Sequence, residues 1–269
     1  MTTISGSRMT DSGSWITGLD LYYDDVSSSR VREDIASGQV TEATPRFPNG
    51  SSMELLSAYG NGTWSVGARH ALTAGVRLSD VRTRLPSTSV NNTEVSGDIG
   101  WVATINDGWQ FTANLGYGFR APNVFDLGTL GSRPGNRFNV PNPNLEPESG
   151  MACDAGAEFQ PQANFKLGIR AFLNKVDDAI VENVISEDPS QTQSINAGEA
   201  ESYGLEVSAE HSLTQSLSWF ANLTWTESEI SNPLDADQDG SELSFSPDLV
   251  INAGLHFSLP GSLMLSPYL

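Results

Sequence analysis

The chain has 269 residues, with 33 Asp+Glu against 14 Lys+Arg and a formal net charge of −19. That balance leaves no basic face to displace phosphate counterions, so nucleic acid is not an expected partner. A single cysteine, Cys153, excludes an internal disulfide and a cysteine-cluster zinc site; His70, His211 and His256 have no metal-binding spacing, and no apolar run approaches the roughly 20 residues of a membrane-crossing helix.

Alternation of apolar with polar residues, the mark of strands with two chemically different faces, recurs along the chain. In order it covers residues 14–25, 54–66 and 71–84, then 95–105, 109–119, 150–160 and 165–185, and finally 203–210, 217–225, 249–257 and 263–269. In 109–119, Trp109, Phe111, Ala113, Leu115, Tyr117 and Phe119 alternate with polar residues or glycine. About eleven strands follow, most longer than the five or six residues usual in globular sheets. Short turns are expected at 67–69, 106–108, 161–164, 213–216 and 260–262, and long polar loops at 27–52, 85–92, 120–148, 186–192 and 231–245.

Short turns at one end of every hairpin and long loops at the other are the layout of an antiparallel transmembrane β-barrel. Its apolar face meets lipid and its polar face lines the lumen, so a span needs no apolar run. Trp109 and Tyr117 lie eight residues apart, about 20 Å along the membrane normal once strand tilt is allowed for, close to the ~25 Å apolar band between aromatic girdles. The other readings are a soluble carbohydrate-binding β-sandwich, which requires two packed sheets, and an outer-membrane barrel enzyme, which requires Ser, His and acidic groups converging on one rim. No fixed-period repeat supports a solenoid.

Five segments carry a family likeness. Phe119-Arg120-Ala121-Pro122 is followed by Asn142-Pro143-Asn144-Leu145, with Ala74-Gly75-Val76-Arg77-Leu78 upstream. Downstream, Asn196-Ala197-Gly198-Glu199-Ala200 leads to Gly204-Leu205-Glu206, and Pro247 leads to Asn252-Ala253-Gly254-Leu255. This succession resembles the FRAP and NPNL boxes and flanking strands of TonB-dependent outer-membrane receptors. The resemblance implies an all-β fold, about 11 strands of a 22-stranded, plugged barrel, with residues 1–269 a partial barrel domain lacking the plug and the last strand. It also implies a place in the bacterial outer membrane, contact with its lipid, and uptake of a scarce extracellular nutrient such as a ferric siderophore or other metal chelate, without catalysis. Energy would come from the TonB complex, engaged only through an N-terminal part outside this sequence.

The two boxes bracket a long loop in which Pro122, Pro143, Asn142 and Asn144 end strand pairing and favour turns. A structural role is expected of Phe119–Pro122 and Asn142–Leu145 ahead of direct ligand contact, with Arg133 and Arg137 the cations between them. No histidine stands between the boxes, which disfavours haem as the ligand. Asp235, Asp237 and Asp239, followed by Gly240, have the alternate-oxygen spacing of a calcium loop but lack its closing glutamate. A structural Ca²⁺ in that external loop is one expectation, and a solvated acidic hairpin is the other; no further cofactor is expected.

Overall fold

Residues with a period-two pattern pair edge to edge only if each strand's hydrogen-bonding groups meet a neighbour. The computed structural model, which describes residues 1–128, 132–133, 137–187, 190–244, 246–259 and 263–268, satisfies this with one long antiparallel meander. Its strands are β1 (Thr2–Thr10), β2 (Gly13–Val26), β5 (Ser51–Val66), β6 (His70–Leu85), β7 (Thr88–Asn106), β8 (Trp109–Arg120), β11 (Glu148–Gln162), β12 (Phe165–Glu187), β13 (Ser190–Ser212), β14 (Leu217–Ser231), β15 (Leu249–Leu259) and β16 (Leu263–Leu265). Each pairs with the next in sequence, and the path is open, β1 and β16 being its two ends among the described residues. Short elements fill the loops: β3 (Val31–Glu33) and β4 (Val40–Glu42) between β2 and β5, and α1 (Val124–Gly128), β9 (Ser132–Arg133) and β10 (Arg137–Asn139) between β8 and β11. Apart from the two-stranded β3–β4 ribbon, no second sheet is present among the described residues, so the architecture is that of a barrel wall and not of a sandwich.

The outward face is the apolar one. Leu21, Leu56, Val76, Ile99, Leu115 and Ile251 stay exposed there, a continuous surface that only lipid can cover. The inward face is polar and cross-linked between strands. Thr3 Oγ1 donates to Asp20 at 2.8 Å, Arg77 pairs with Asp20 at 2.7 Å, and the Ser57 and Ser79 hydroxyls lie 3.0 Å apart. Asn114 donates to Asp154 at 3.0 Å. Where a large apolar ring does face inward, a glycine opposite makes room. Phe172 pairs across the ladder with Gly204, where a Cβ would lie 2.6 Å from the ring and 2.1 Å from the Trp225 carbonyl oxygen. Phe220 covers Gly254 on β15 in the same manner.

Three expectations need correction. Residues 85–92 and 186–192 were expected as long loops, whereas β6 and β7 run on to a two-residue connection and β12 continues to Glu187. The reason at the first of these is packing: Leu85 and Val90 lie in the extensions, Leu85 buried with Val124, Leu127 and Leu145 and Val90 packed against them. Residues 2–10 form β1, paired along its whole length with β2; with only Ile4 and Met9 as large apolar residues, it carries no period-two signal. The turns at 67–69, 106–108, 161–164 and 213–216 stand where expected, and Gly67 adopts φ 68°, a conformation that suits glycine. The turn expected at 260–262 lies outside the described residues.

Candidate functional site: the external mouth

The loop after β8 turns inward because its first residues tie it to three strands. The Arg120 guanidinium donates to the Asp126 carboxylate at 2.6 Å and to Glu148 at the start of β11. Asn123 then caps α1: its Oδ1 accepts the Phe125 and Asp126 N–H groups at 2.7 and 3.2 Å. The Asp126 carboxylate returns the bond by accepting the Asn123 N–H at 3.0 Å, a reciprocal cap. The Pro122 carbonyl accepts the Thr83 hydroxyl at 2.9 Å, and Ala121 and Pro122 are buried. Beyond them Leu127, Val124 and Leu145 close on Leu85 in a small apolar core, with Val26, Phe47, Val90 and Ile180 packed around it. Phe119, by contrast, belongs to the outward face, opposite Ser149.

The second box docks along the free upper edge of β13. Below Glu199 that edge pairs with β14; above it, β10 runs parallel to residues 190–192. The Asn142 amide donates to the Ser194 carbonyl at 2.7 Å, and its Oδ1 accepts the Asn144 N–H at 3.0 Å. Gln193 donates to the Pro141 carbonyl at 3.1 Å. Asn196 is the hub. Its Oδ1 accepts the Glu146 N–H at 2.9 Å, and its amide donates to the carbonyls of Glu146 and Asp178 at 2.9 and 2.8 Å. Asp178, at φ 56°, sits where the register of β12 shifts between Val176 and Ala179. One asparagine therefore joins the loop, the bulge and the strand. Pro143 and Asn144 remain exposed, and Leu145 is buried.

Charge at the clasp is balanced locally. Burial pushes the Glu148 carboxyl up, but the Arg120 guanidinium and the Ile180 N–H (2.7 Å) together hold it below its usual range; pairing with Glu148 raises Arg120 in turn. Arg133 and Arg137 stand opposite one another on β9 and β10, with their side chains outside the described residues. In the loop after β14, Asp235 Oδ1 accepts the Asp237 N–H at 3.0 Å and Asp239 Oδ1 accepts the Asn232 N–H at 2.9 Å. These carboxylates shape their own turn, and no three metal-binding groups converge among the described residues. His256 Nδ1 lies 2.9 Å from the Ser266 hydroxyl and its ring stacks on Phe220, at the short-turn end and far along the sheet from the mouth.

Sequence reading missed Arg46 and Phe47. The Arg46 guanidinium lies 5.7 Å from the Phe47 ring centroid and 5.4 Å from that of Phe125, the rings being 6.4 Å apart. The signal was a lone aromatic in a polar loop, flanked by Pro45 and Pro48.

Comparison with known proteins agrees with this architecture. The family model described as TonB dependent receptor-like, beta-barrel matches residues 3–264. The iron-regulated outer membrane virulence protein of Vibrio cholerae is 26% identical over 180 residues, covering 62% of this chain and 26% of that protein. Among solved structures, the copper transporter OprC superposes with a TM-score of 0.75 at 19% identity, over 96% of this chain and 40% of its own. The siderophore receptor PirA from Pseudomonas aeruginosa gives 0.66 at 20%, over 99% and 45%. The chain thus spans about a quarter of the curated relative's length and less than half of each solved neighbour's. The lipid-seeking outer face and these likenesses together place it in the outer membrane. From strand register to the docked loop between its two boxes, the chain belongs to the TonB-dependent receptor-like β-barrel family.

Proposed function

We propose that this chain supplies the wall and external mouth of a receptor that takes up a scarce nutrient, a ferric siderophore or other metal chelate, with energy delivered by the TonB complex through a part outside this sequence. The observation that carries the reading is the loop between the two boxes. Its described residues fold inward, are capped at Asn123, and bond to β6, β11 and β13, which supports a shaped recognition surface at the mouth. The names of the relatives, which speak of iron regulation, copper transport and siderophores, support a metal-chelate cargo. The sequence pairs no nucleophile with a base, and Arg120, Asn123, Asn142 and Asn196 are engaged in holding the loop.

The test is uptake of radioiron chelates by cells that carry or lack the gene encoding this chain, with and without a functional TonB complex. Uptake lost in both deletions is the expected result. Uptake that persists without TonB, in cells retaining the gene, would overturn the energised reading.

A further inference from the structure

We infer that Asn49–Gly50, at the base of the β2–β5 loop, is a site of spontaneous covalent modification, where the asparagine side chain loses ammonia and the chain passes through a succinimide to aspartate and isoaspartate. This goes beyond the receptor reading and does not depend on it. Asn-Gly occurs twice in the chain, as Pro48-Asn49-Gly50-Ser51 and as Gly60-Asn61-Gly62-Thr63. A following glycine leaves the attacking nitrogen unshielded by any Cβ, so both dipeptides have the same intrinsic chemistry. Only the fold separates them.

Reaction requires the Gly50 nitrogen to give up its proton and attack Asn49 Cγ. The N–Cγ bond forms, the Cγ–Nδ2 bond breaks, and the proton leaves with that nitrogen as ammonia; water then opens the ring at either carbonyl. Both residues are exposed. They are the central pair of a turn closed by the Ser51 N–H on the Pro48 carbonyl at 3.3 Å, with Gly50 at φ 81° and open space where a Cβ would stand. The Gly50 N–H has no hydrogen-bond partner among the described residues. The Ser28 N–H donates to Asn49 Oδ1 at 2.5 Å, which draws electrons from Cγ and leaves the departing nitrogen unencumbered.

Asn61–Gly62 is the opposite case. It lies within β5, in register with Ile16 and Trp15 on β2 and with Gly75 and Ala74 on β6, and Gly62 is buried. Its backbone must leave the ladder before it can react. Nor is backbone conformation alone the discriminant. Gly240 follows Asp239 at φ 76°, yet its N–H donates to the Ile230 carbonyl at 2.8 Å, which occupies the nitrogen that an isomerising aspartate would need.

The consequence is local. Ser28 and Asn49 close the loop just above Val26 and Ser51, the last β2–β5 pair. Isoaspartate adds a methylene to the backbone and a negative charge, moves the acceptor away from Ser28, and unpins the loop at its base. The experiment ages the full-length receptor in detergent at neutral and mildly alkaline pH and follows each Asn-Gly peptide by mass spectrometry, with isoaspartate counted by enzymatic methyl transfer. In the folded protein Asn49–Gly50 is expected to convert at least about tenfold faster than Asn61–Gly62, because the ladder must open first at the latter; conversion is faster at the higher pH. In the urea-denatured chain the two convert at similar rates. Hydrogen exchange at the Ser28 amide rises with isoaspartate content and stays low in Asn49→Asp, which keeps an acceptor oxygen and the normal backbone. Equal rates at the two sites in the folded protein overturn the inference, as does an Asn49 amide that survives folded while the denatured chain loses it. Ser28 exchange unmoved by isoaspartate overturns the unpinning.

Discussion

Between Trp109 and Tyr117 every second side chain faces outward, and the backbone ladder to β7 and β11 suffices to keep it there. Between Arg120 and Glu148 the chain is held mainly by side chains: a guanidinium between two carboxylates, an asparagine cap, and amides reaching across to β13. The wall is thus specified by period and solvent, in the sense that lipid selects one face and water the other. The mouth is specified by individual donors and acceptors with no periodicity. One substitution in the wall therefore perturbs membrane insertion, while one in the mouth releases a loop.

The largest expected effect separates the faces of one strand. Leu115→Arg puts a cation on the lipid face and costs about 2–4 kcal/mol of folding stability in bilayers. The adjacent Asn114→Ser loses only its bond to Asp154, about 1 kcal/mol. Denaturant titration of protein refolded in lipid vesicles reads both, and equal costs would contradict the assigned faces.

Next comes the clasp. Arg120→Ala leaves Asp126 and Glu148, whose side chains are 10% and 16% exposed, without their cation. Roughly 2–3 kcal/mol is expected, reduced from a fully buried pair because Arg120 is itself part-exposed. Hydrogen exchange should rise through the amides of α1 while those of β8 below Tyr117 stay protected. Asn196→Ala removes three bonds at once, about 1–3 kcal/mol, and should expose the Glu146 amide to exchange without altering the β13–β14 ladder. Asn196→Asp keeps the acceptor for Glu146 N–H and loses both donated bonds, so it should fall between.

Gly204→Val tests the inward rings. Its branched side chain would meet Phe172 and the Trp225 carbonyl, and overpacking of this kind costs about 1–3 kcal/mol. Gly118→Ala meets nothing within 4 Å and should be close to neutral, within ~0.5 kcal/mol. The smallest effect is that of pH. Because the folded Glu148 carboxyl titrates below its ordinary range, its contribution is complete above that range and is lost as pH falls through the lowered folded value. Protection of the α1 amides should hold from neutral pH down to the ordinary carboxylate range and decline only below it; a decline already near neutrality would contradict the clasp.

The same contrast governs what could be read from the residues alone. Trp109 through Phe119 declares its strand, faces and depth because those properties repeat every second residue. β1 was invisible for the opposite reason: Thr2–Thr10 is placed by its pairing with β2, a non-local cause. The extension of β6 and β7 was missed because Leu85 and Val90 pack against α1 and Leu145, which local pattern cannot foresee. At the mouth, the resemblance marked Arg120, Pro122, Asn142 and Leu145, and in the structure these meet Asp126 and Glu148, the Thr83 hydroxyl, the Ser194 carbonyl and the small apolar core respectively. Arg46 and Phe47 were out of reach, since their meaning comes from Phe125, almost eighty positions further along.

The attachment of the second box to β13 also sets an order of assembly. Asn142, Glu146 and Pro141 bind residues 193–196, partners 50 to 52 positions later in the chain. Their docking strip does not exist until β12 and β13 have paired, and closure over so long a separation is slow relative to hairpin formation. The wall must therefore zip past the mouth before the mouth can shut. A molecule caught midway would present completed lower strands with residues 120–146 hanging free, and it is at this stage that the open β13 edge is most at risk of capturing a foreign strand.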